Sequence, residues 1–92
     1  MTTTIAKFSL GRTLITPGAQ RELNADDVFE SMARHARGDW GECSKEDSDE
    51  NELSLKKGFR LLSVYRDRRN VKFWIITEAD RSATTVLLPD EY

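Results

Sequence analysis

Cysteine and histidine are almost missing from this sequence, and their scarcity excludes several classes of protein. Cys43 is the only cysteine among 92 residues, so no disulfide can form within the chain and a disulfide-stapled secreted scaffold is excluded. His35 is the only histidine, and it makes a poor zinc pair with Cys43 because structural zinc normally takes four closely spaced ligands. We therefore expect no metal and no cofactor, with Cys43 an inert thiol.

Long apolar runs are missing too. No stretch approaches the ~20 apolar residues of a membrane span, and the segment from Met1 to Lys7 has no apolar core of signal-peptide length. We therefore expect a soluble, cytoplasmic protein that makes no contact with a membrane.

The short motifs of the common enzyme classes are also absent. The sequence contains no phosphate-binding loop, dinucleotide fingerprint, nucleophile elbow or EF-hand loop. His35 would need a nucleophile and an orienting acid nearby to act as a general base, and the sequence marks neither. A domain of this size rarely offers the deep cleft that a carboxylate-pair enzyme uses. The sequence thus favours a protein that is not an enzyme.

Charge is nearly balanced in total but is divided into two blocks. The formal net charge is -2, yet residues 42–52 carry six acids against one base, and residues 56–72 carry seven bases against one acid. A net acidic chain argues mildly against a dedicated nucleic-acid binder. Whether the two blocks pair in space depends on the fold, and their ordinary interpretation is two solvated surfaces.

The first half of the chain predicts a strand region and a helix. β-Forming residues fill the segment 5–16 around Gly11, which indicates one bent strand or two short ones, stopped by Pro17 and Gly18. Asn24 is a good N-cap for a helix over residues 25–37, whose apolar positions share one face.

The second half predicts a sheet. Residues 45–55 fit a short polar helix, with a loop as the alternative. Three β-forming runs follow at 59–65, 71–77 and 83–88, and their short connections require an antiparallel meander. Hydrophobic residues make up 38% of the chain, which is enough for one domain over residues 1–92. We predict a two-layer α+β fold with one or more N-terminal strands, one main helix and a three-stranded antiparallel meander.

Two turns carry more chemistry than folding clearly requires. Asp39 and Trp40 lie between two glycines, where the tryptophan either folds back on the core or forms an exposed anchor for a partner. A second turn contains Glu78, Asp80, Arg81 and Ser82. Here Asp80 either bonds the turn backbone while Arg81 pairs with an acid, or Arg81 presents its fork to a carboxylate or phosphate.

With these two turns in place, the chain resembles a group of uncharacterised small "plasmid-related" proteins of bacterial plasmids and integrative conjugative elements. The likeness spans nearly the full length, through 16–19, His35 with 38–41, Asn51, 58–65, 73–82, Thr84-Thr85 and Leu88-Pro89. The resemblance implies a habitat, the cytoplasm of a bacterium that hosts a mobile element, and it implies no reaction.

The order of elements is also similar to that of RelE-type ribonucleases, which is an analogy of fold alone. Such an enzyme would need a basic concave face, for which Tyr65, Arg66, Arg68 and Arg81 are the candidates.

Two functions are therefore open. The first is a non-enzymatic interaction or accessory protein that binds a protein partner through Asp39, Trp40, Glu78, Asp80, Arg81 and Ser82. In one version it acts against host defence, through acids of residues 42–52 that imitate DNA phosphates. The second is a small RelE-like ribonuclease or nucleic-acid binder that uses the basic residues of 56–72. A homo-oligomer formed through an edge strand is compatible with either.

Overall fold

The computed structural model describes residues 6–92 and contains a four-stranded sheet with three α-helices. The elements follow in the order β1 (Arg12–Ile15), α1 (Pro17–Glu22), α2 (Ala25–Ala36), α3 (Lys45–Lys57), β2 (Leu61–Arg66), β3 (Lys72–Thr77), β4 (Ala83–Leu87) and a 3-10 turn (Pro89–Glu91). The α+β class is confirmed. The prediction of one main helix is wrong, since α3 is as long as α2 and α1 precedes both.

The two longer helices begin at the side-chain caps that the sequence suggests. The Asn24 side chain accepts a hydrogen bond from the amide of Asp27 at 3.1 Å, and Ser44 does the same for Asp47 at 3.1 Å. At the other end of α3, Gly58 adopts the left-handed conformation that glycine tolerates best. The helix alternative for residues 45–55 is therefore confirmed, and the helix extends to Lys57.

Helix α1 is a correction to the sequence analysis. The sequence predicts Pro17 only as the end of a strand, but Pro17 occupies the first turn of a helix. An amide hydrogen at that position has no partner within the helix, so its absence from proline removes no hydrogen bond. The Thr16 hydroxyl caps this helix by accepting from the amide of Ala19 at 3.2 Å. A proline can end one element and begin the next, and the second role has a weaker sequence signal.

The sheet has the order β1-β4-β3-β2 and is mixed. Strands β2, β3 and β4 are antiparallel neighbours, as predicted, whereas β1 runs parallel to β4 with Ile15 opposite Val86. The predicted N-terminal strand is shortened to four residues, because residues 6–11 have no regular structure. Residue 5 lies outside the described part of the chain.

Helices α1 and α2 cover one face of the sheet. Ala19 and Leu23 pack with Phe73, Ile75 and Val86 to form the centre of the core. Helix α3 lies beside the outer edge of β2 instead of on that face, as its bonds to the Leu62 backbone show. No helix within residues 6–92 has the length and apolar character needed to cross a membrane.

Asp67 joins the start of α2 to the turn between β2 and β3. Its buried carboxylate accepts hydrogen bonds from the amides of Asn24 at 3.1 Å, Arg69 at 3.0 Å and Val71 at 3.0 Å. Burial acts to raise the pKa of Asp67, but these amide donors outweigh it and the pKa is lowered. The carboxylate thus ties two distant segments together in its charged form.

Replacing this carboxylate by an amide tests its role. In Asp67→Asn the side-chain NH2 group faces the amide of Asn24, donor against donor, so we expect the free energy of unfolding to fall by about 2 kcal/mol. Urea denaturation at neutral pH measures the change. Asp90→Asn, at an exposed position, is the matched control and should change stability by less than about 0.5 kcal/mol. Equal stability of the two variants would contradict the role given to Asp67.

Candidate functional site

Helix α3 has almost no apolar surface with which to pack. Its only large apolar residues are Leu53, which is 43% exposed, and Leu55, which is partly buried. The side chains that are buried are polar, Asn51 and Ser54. Most helices in proteins are stabilised by packing of an apolar face. Polar contacts must therefore hold α3 in place.

The first of these contacts covers the edge of β2. The Asn51 amide nitrogen donates to the carbonyl oxygen of Leu62 at 2.8 Å, and the Asn51 carbonyl oxygen accepts from the amide of Leu62 at 3.0 Å. A neighbouring strand would form the same pair of bonds. The Cys43 thiol donates to the same carbonyl oxygen at 3.3 Å, and burial raises the pKa of this thiol.

The Trp40 turn continues this cover along the strand. The amide of Glu42 donates to the carbonyl oxygen of Val64 at 2.7 Å, and the amide of Val64 donates to the carbonyl oxygen of Trp40 at 3.2 Å. Gly41 lies between them with φ of +70°, and a Cβ atom there would overlap the Val64 carbonyl oxygen. Glycine is therefore required at this position.

Trp40 folds back on the core, which is the first of the two alternatives that the sequence offers. Its side chain is 6% exposed, and its indole nitrogen donates to a carboxylate oxygen of Glu52 on α3 at 2.7 Å. Asp39, beside it, accepts two bonds from the Arg34 guanidinium at 2.8 and 3.2 Å. This pairing, aided by the Gly41 amide, lowers the pKa of Asp39 against the effect of burial.

Arg81 of the second turn bonds to the carboxyl end of α3. Arg81 donates from one guanidinium nitrogen to the carbonyl oxygens of Phe59 at 2.7 Å and Glu78 at 3.0 Å, and from another to that of Ser54 at 3.0 Å. Of the two alternatives for Arg81, pairing with an acid is wrong for residues 6–92, since carbonyl oxygens take that place. A cation at the carboxyl end of a helix also complements the helix dipole.

The remaining residues of this turn have local contacts. Asp80 accepts from the amide of Ser82 at 2.9 Å, which confirms the predicted bond of Asp80 to the turn backbone. Glu78 forms an exposed ion pair with Arg60 at 3.3 Å.

Phe8 connects the two turns. Its ring stacks on Trp40 with centroids 6.3 Å apart, and the Arg81 guanidinium lies 5.7 Å from its centre. One residue from each predicted site, Trp40 and Arg81, therefore bonds to α3. The partner-binding role of all six residues stays a prediction. In the structure Asp39 pairs with Arg34 of α2, Glu78 pairs with Arg60, and Asp80 bonds to Ser82 within the turn.

His35 is fully buried beneath this assembly and forms a chain of hydrogen bonds. Thr84 donates its hydroxyl hydrogen to the carbonyl oxygen of Leu10 at 2.7 Å, so Thr77 must donate to Thr84, also at 2.7 Å. Thr77 then accepts from Nε2 of His35 at 2.8 Å, and the bare Nδ1 accepts from Ser63 at 2.5 Å. The chain places a hydrogen on Nε2, and in the neutral ring that burial favours, Nδ1 accepts from Ser63.

Burial, assisted by the positive charge of Arg81, lowers the pKa of His35 to about 4. The hydroxyl groups that surround the ring are themselves bonded within the chain, and none is directed at open space. The arrangement is that of a structural histidine rather than a general base.

The surface that these contacts leave free is acidic. Glu46, Asp47, Asp49 and Glu50 are all exposed on α3, and among residues 6–92 only Asp49 of these four forms an ion pair, with Lys45 at 2.9 Å. The sequence shows these acids as a block that includes Glu52, but it does not predict the bonds of Asn51 to Leu62 and of Glu52 to Trp40 that hold the block in place. The signal in the sequence is a polar residue, Asn51, at a position of the helix that faces the rest of the protein.

The acidic and basic blocks do not neutralise each other. Within residues 6–92 a single ion pair joins them, between Arg66 and Glu42 at 3.0 Å. Three other bases of the block pair elsewhere, Arg60 with Glu78, Arg68 with Asp27 and Arg69 with Asp67.

No group of three or more His, Cys, Asp or Glu side chains within the described residues is arranged to hold a metal ion. The chain matches no protein-family model, no curated protein and no solved structure. The candidate site is thus defined by its geometry alone.

The buried His35 makes stability depend on pH in a specific direction. Its pKa in the folded protein, about 4, lies below the unfolded value of 6.5, so the unfolded chain takes up the proton first. Stability is therefore complete above pH 6.5 and falls by about 1.4 kcal/mol per pH unit as the pH drops toward 4.

Urea denaturation between pH 4 and pH 7.5 measures this dependence. His35→Gln keeps a donor and an acceptor but cannot titrate, so its stability should fall less steeply over that range. Titrating carboxylates contribute equally to the pH dependence of stability in the wild type and in His35→Gln. The difference between the two slopes therefore reports His35 alone. Identical slopes would show that His35 is not the titrating group.

Arg81→Lys tests whether the second turn holds α3. A single ammonium cannot reach all of the carbonyl oxygens that the guanidinium joins. We expect the amides of α3 to exchange hydrogen about tenfold faster or more, with α2 unchanged. Hydrogen–deuterium exchange measured by mass spectrometry gives the rates. In the control Arg60→Lys, α3 should exchange at the wild-type rate, and equal exchange in both variants would argue against the clamp.

Proposed function

We propose that this chain is a non-enzymatic interaction protein whose binding surface is the outer, acidic face of α3. The partner would be a protein with a basic groove of the kind that holds nucleic acid, and the chain would act as an accessory or anti-defence protein of a bacterial mobile element. One observation carries the proposal: a helix without an apolar face is held by polar contacts from several elements, and its free surface is a row of carboxylates.

The free carboxylates support this assignment by their position. Glu46, Asp47 and Glu50 are exposed and form no ion pair within the described part of the chain. Glu46 and Glu50 are one turn apart, about 6 Å along the helix axis. Nucleic-acid backbones likewise present closely spaced negative charges, and proteins that bind them do so largely through Lys and Arg.

The positions of Trp40 and Arg81 support a positioning role for both turns. Each turn contacts α3 through one side chain. The Trp40 indole donates to Glu52, and the Arg81 guanidinium donates to the carbonyl oxygen of Ser54. We therefore assign Trp40 and Arg81 to the support of the binding surface. The other four residues predicted as partner-binding, Asp39, Glu78, Asp80 and Ser82, belong to the turns that carry these two side chains and bond elsewhere within the described residues. A rigid support reduces the conformational entropy lost on binding.

A nucleic-acid binder that uses residues 56–72 is the less favoured function. Four of its seven bases are paired with carboxylates, so the block does not form a continuous positive face. The acidic helix, in addition, begins next to the Glu42 that pairs with Arg66. Both features weaken electrostatic attraction to a phosphate backbone.

Neutralising the free acids of α3 tests the proposed surface. The triple variant Glu46→Gln, Asp47→Asn, Glu50→Gln removes three charges from exposed positions. The immobilised wild-type chain should capture from a bacterial lysate a DNA-binding protein that added duplex DNA displaces. The triple variant should lose at least about tenfold of that capture, because several charge contacts disappear together.

The matched control removes three exposed acids elsewhere, through Glu22→Gln, Glu30→Gln and Asp90→Asn. Its net charge equals that of the test variant, so it should capture the partner as the wild type does. Equal loss in both triple variants would indicate a net-charge effect, and capture that duplex DNA does not displace would contradict the proposed kind of partner. Direct, salt-sensitive binding of RNA or DNA by the chain would favour the alternative function.

A further inference from the structure

The two edges of the sheet differ in a way that the proposed function does not explain. Asn51 and the segment around Gly41 occupy the outer edge of β2. The edge at β1 has no such cover within residues 6–92, although exposed strand edges are ordinarily blocked in proteins that remain monomeric.

The open edge presents unpaired backbone groups. The amide of Arg12 donates to the carbonyl oxygen of Ser82, and that of Thr16 donates to that of Val86. Alternate residues of a strand direct their amides to opposite sides, so Thr13 and Ile15 direct theirs away from β4. These groups can pair with a further strand.

An apolar groove runs beside this edge. Leu14 and Ile15 of β1 are 43% and 41% exposed, and Val28 and Met32 of α2 form the other wall. Phe29, on the same side of α2, is 80% exposed. Leu14, Ile15 and Phe29 are thus exposed apolar side chains near one open strand, and a contiguous exposed apolar patch is typical of an interaction surface.

The charges of α2 indicate what that surface is. Asp26, Phe29, Ala33 and Arg37 lie within an arc of ~80° at 100° per residue, with the acid at the start of the helix and the base just beyond its end. Asp26 and Arg37 are exposed and form no ion pair with any described residue. An identical helix placed antiparallel would set Asp26 against Arg37 twice.

We propose that a second copy of this chain docks here. Strand β1 pairs antiparallel with β1 of the second copy, Phe29 of each copy packs at the groove between β1 and α2 of the other, and Asp26 of each meets Arg37 of the other. The contact is self-complementary about a two-fold axis, as a closed dimer requires. The two sheets become one eight-stranded sheet, with an acidic helix α3 at each outer end.

Sedimentation velocity over a range of protein concentrations tests the dimer. The wild type should approach twice its 10.5 kDa mass as concentration rises. Phe29→Asp changes an exposed side chain and should leave the fold intact by circular dichroism, while the dissociation constant rises more than about tenfold. A wild type that stays monomeric at millimolar concentration overturns the proposal, as does a dimer that Phe29→Asp leaves unchanged.

Charge reversal tests the alignment of the helices. Asp26→Arg should raise the dissociation constant about tenfold, because two attractive contacts become repulsive. Adding Arg37→Asp should restore it to within about threefold of the wild type, since the pair is inverted but complementary. Lys57→Glu, at the far end of α3, should have no effect. Failure of the double variant to restore the dimer, in a protein that circular dichroism shows to be folded, overturns the antiparallel arrangement.

Discussion

The pair of hydrogen bonds between Asn51 and the backbone of Leu62 is the contact on which the candidate site depends. A helix cannot pair with a strand edge through its own backbone, because its amides and carbonyls are already bonded within the helix. The Asn51 side chain supplies one donor and one acceptor in the positions of a missing strand. It closes the edge of β2 and at the same time fixes the rotation of α3 about its axis.

The other contacts follow from the same constraint. A helix this polar gains little from burial, so each attachment must be a hydrogen bond with a defined direction. Trp40 contributes one from the side and Arg81 contributes another at the end. Phe8 lies between these two side chains and makes their positions interdependent. The result is a rigid helix whose free surface carries charge instead of apolar groups.

Local signals in the sequence account for most of the fold. Asn24 and Ser44 mark the starts of two helices, and runs of β-branched and aromatic residues mark three antiparallel strands, since these signals act within a few residues. Helix α1 was not predicted, because a proline can both end a strand and begin a helix. The parallel pairing of β1 with β4 was not predicted either, since it joins segments about seventy residues apart and no local pattern encodes it.

The candidate site was predictable only in part. The acidic block and both turns stood out by composition, but the partners of Trp40 and Arg81 did not. Arginine usually pairs with acids, and its bonds here to carbonyl oxygens depend on where the last turn of α3 ends. The sequence therefore leaves both turns open as partner surfaces or as structural turns, and in the folded chain Trp40 and Arg81 bond to α3.

Mapping the contact surface by nuclear magnetic resonance tests most directly whether α3 is that surface. Titration of the isotopically labelled chain with its captured partner should shift or broaden the backbone amides of residues 44–53 first. The backbone amide of Trp74, a partly buried residue of β3, should change little. Perturbations that spare α3 and concentrate on the sheet face or on the bases of residues 56–72 would contradict the assignment.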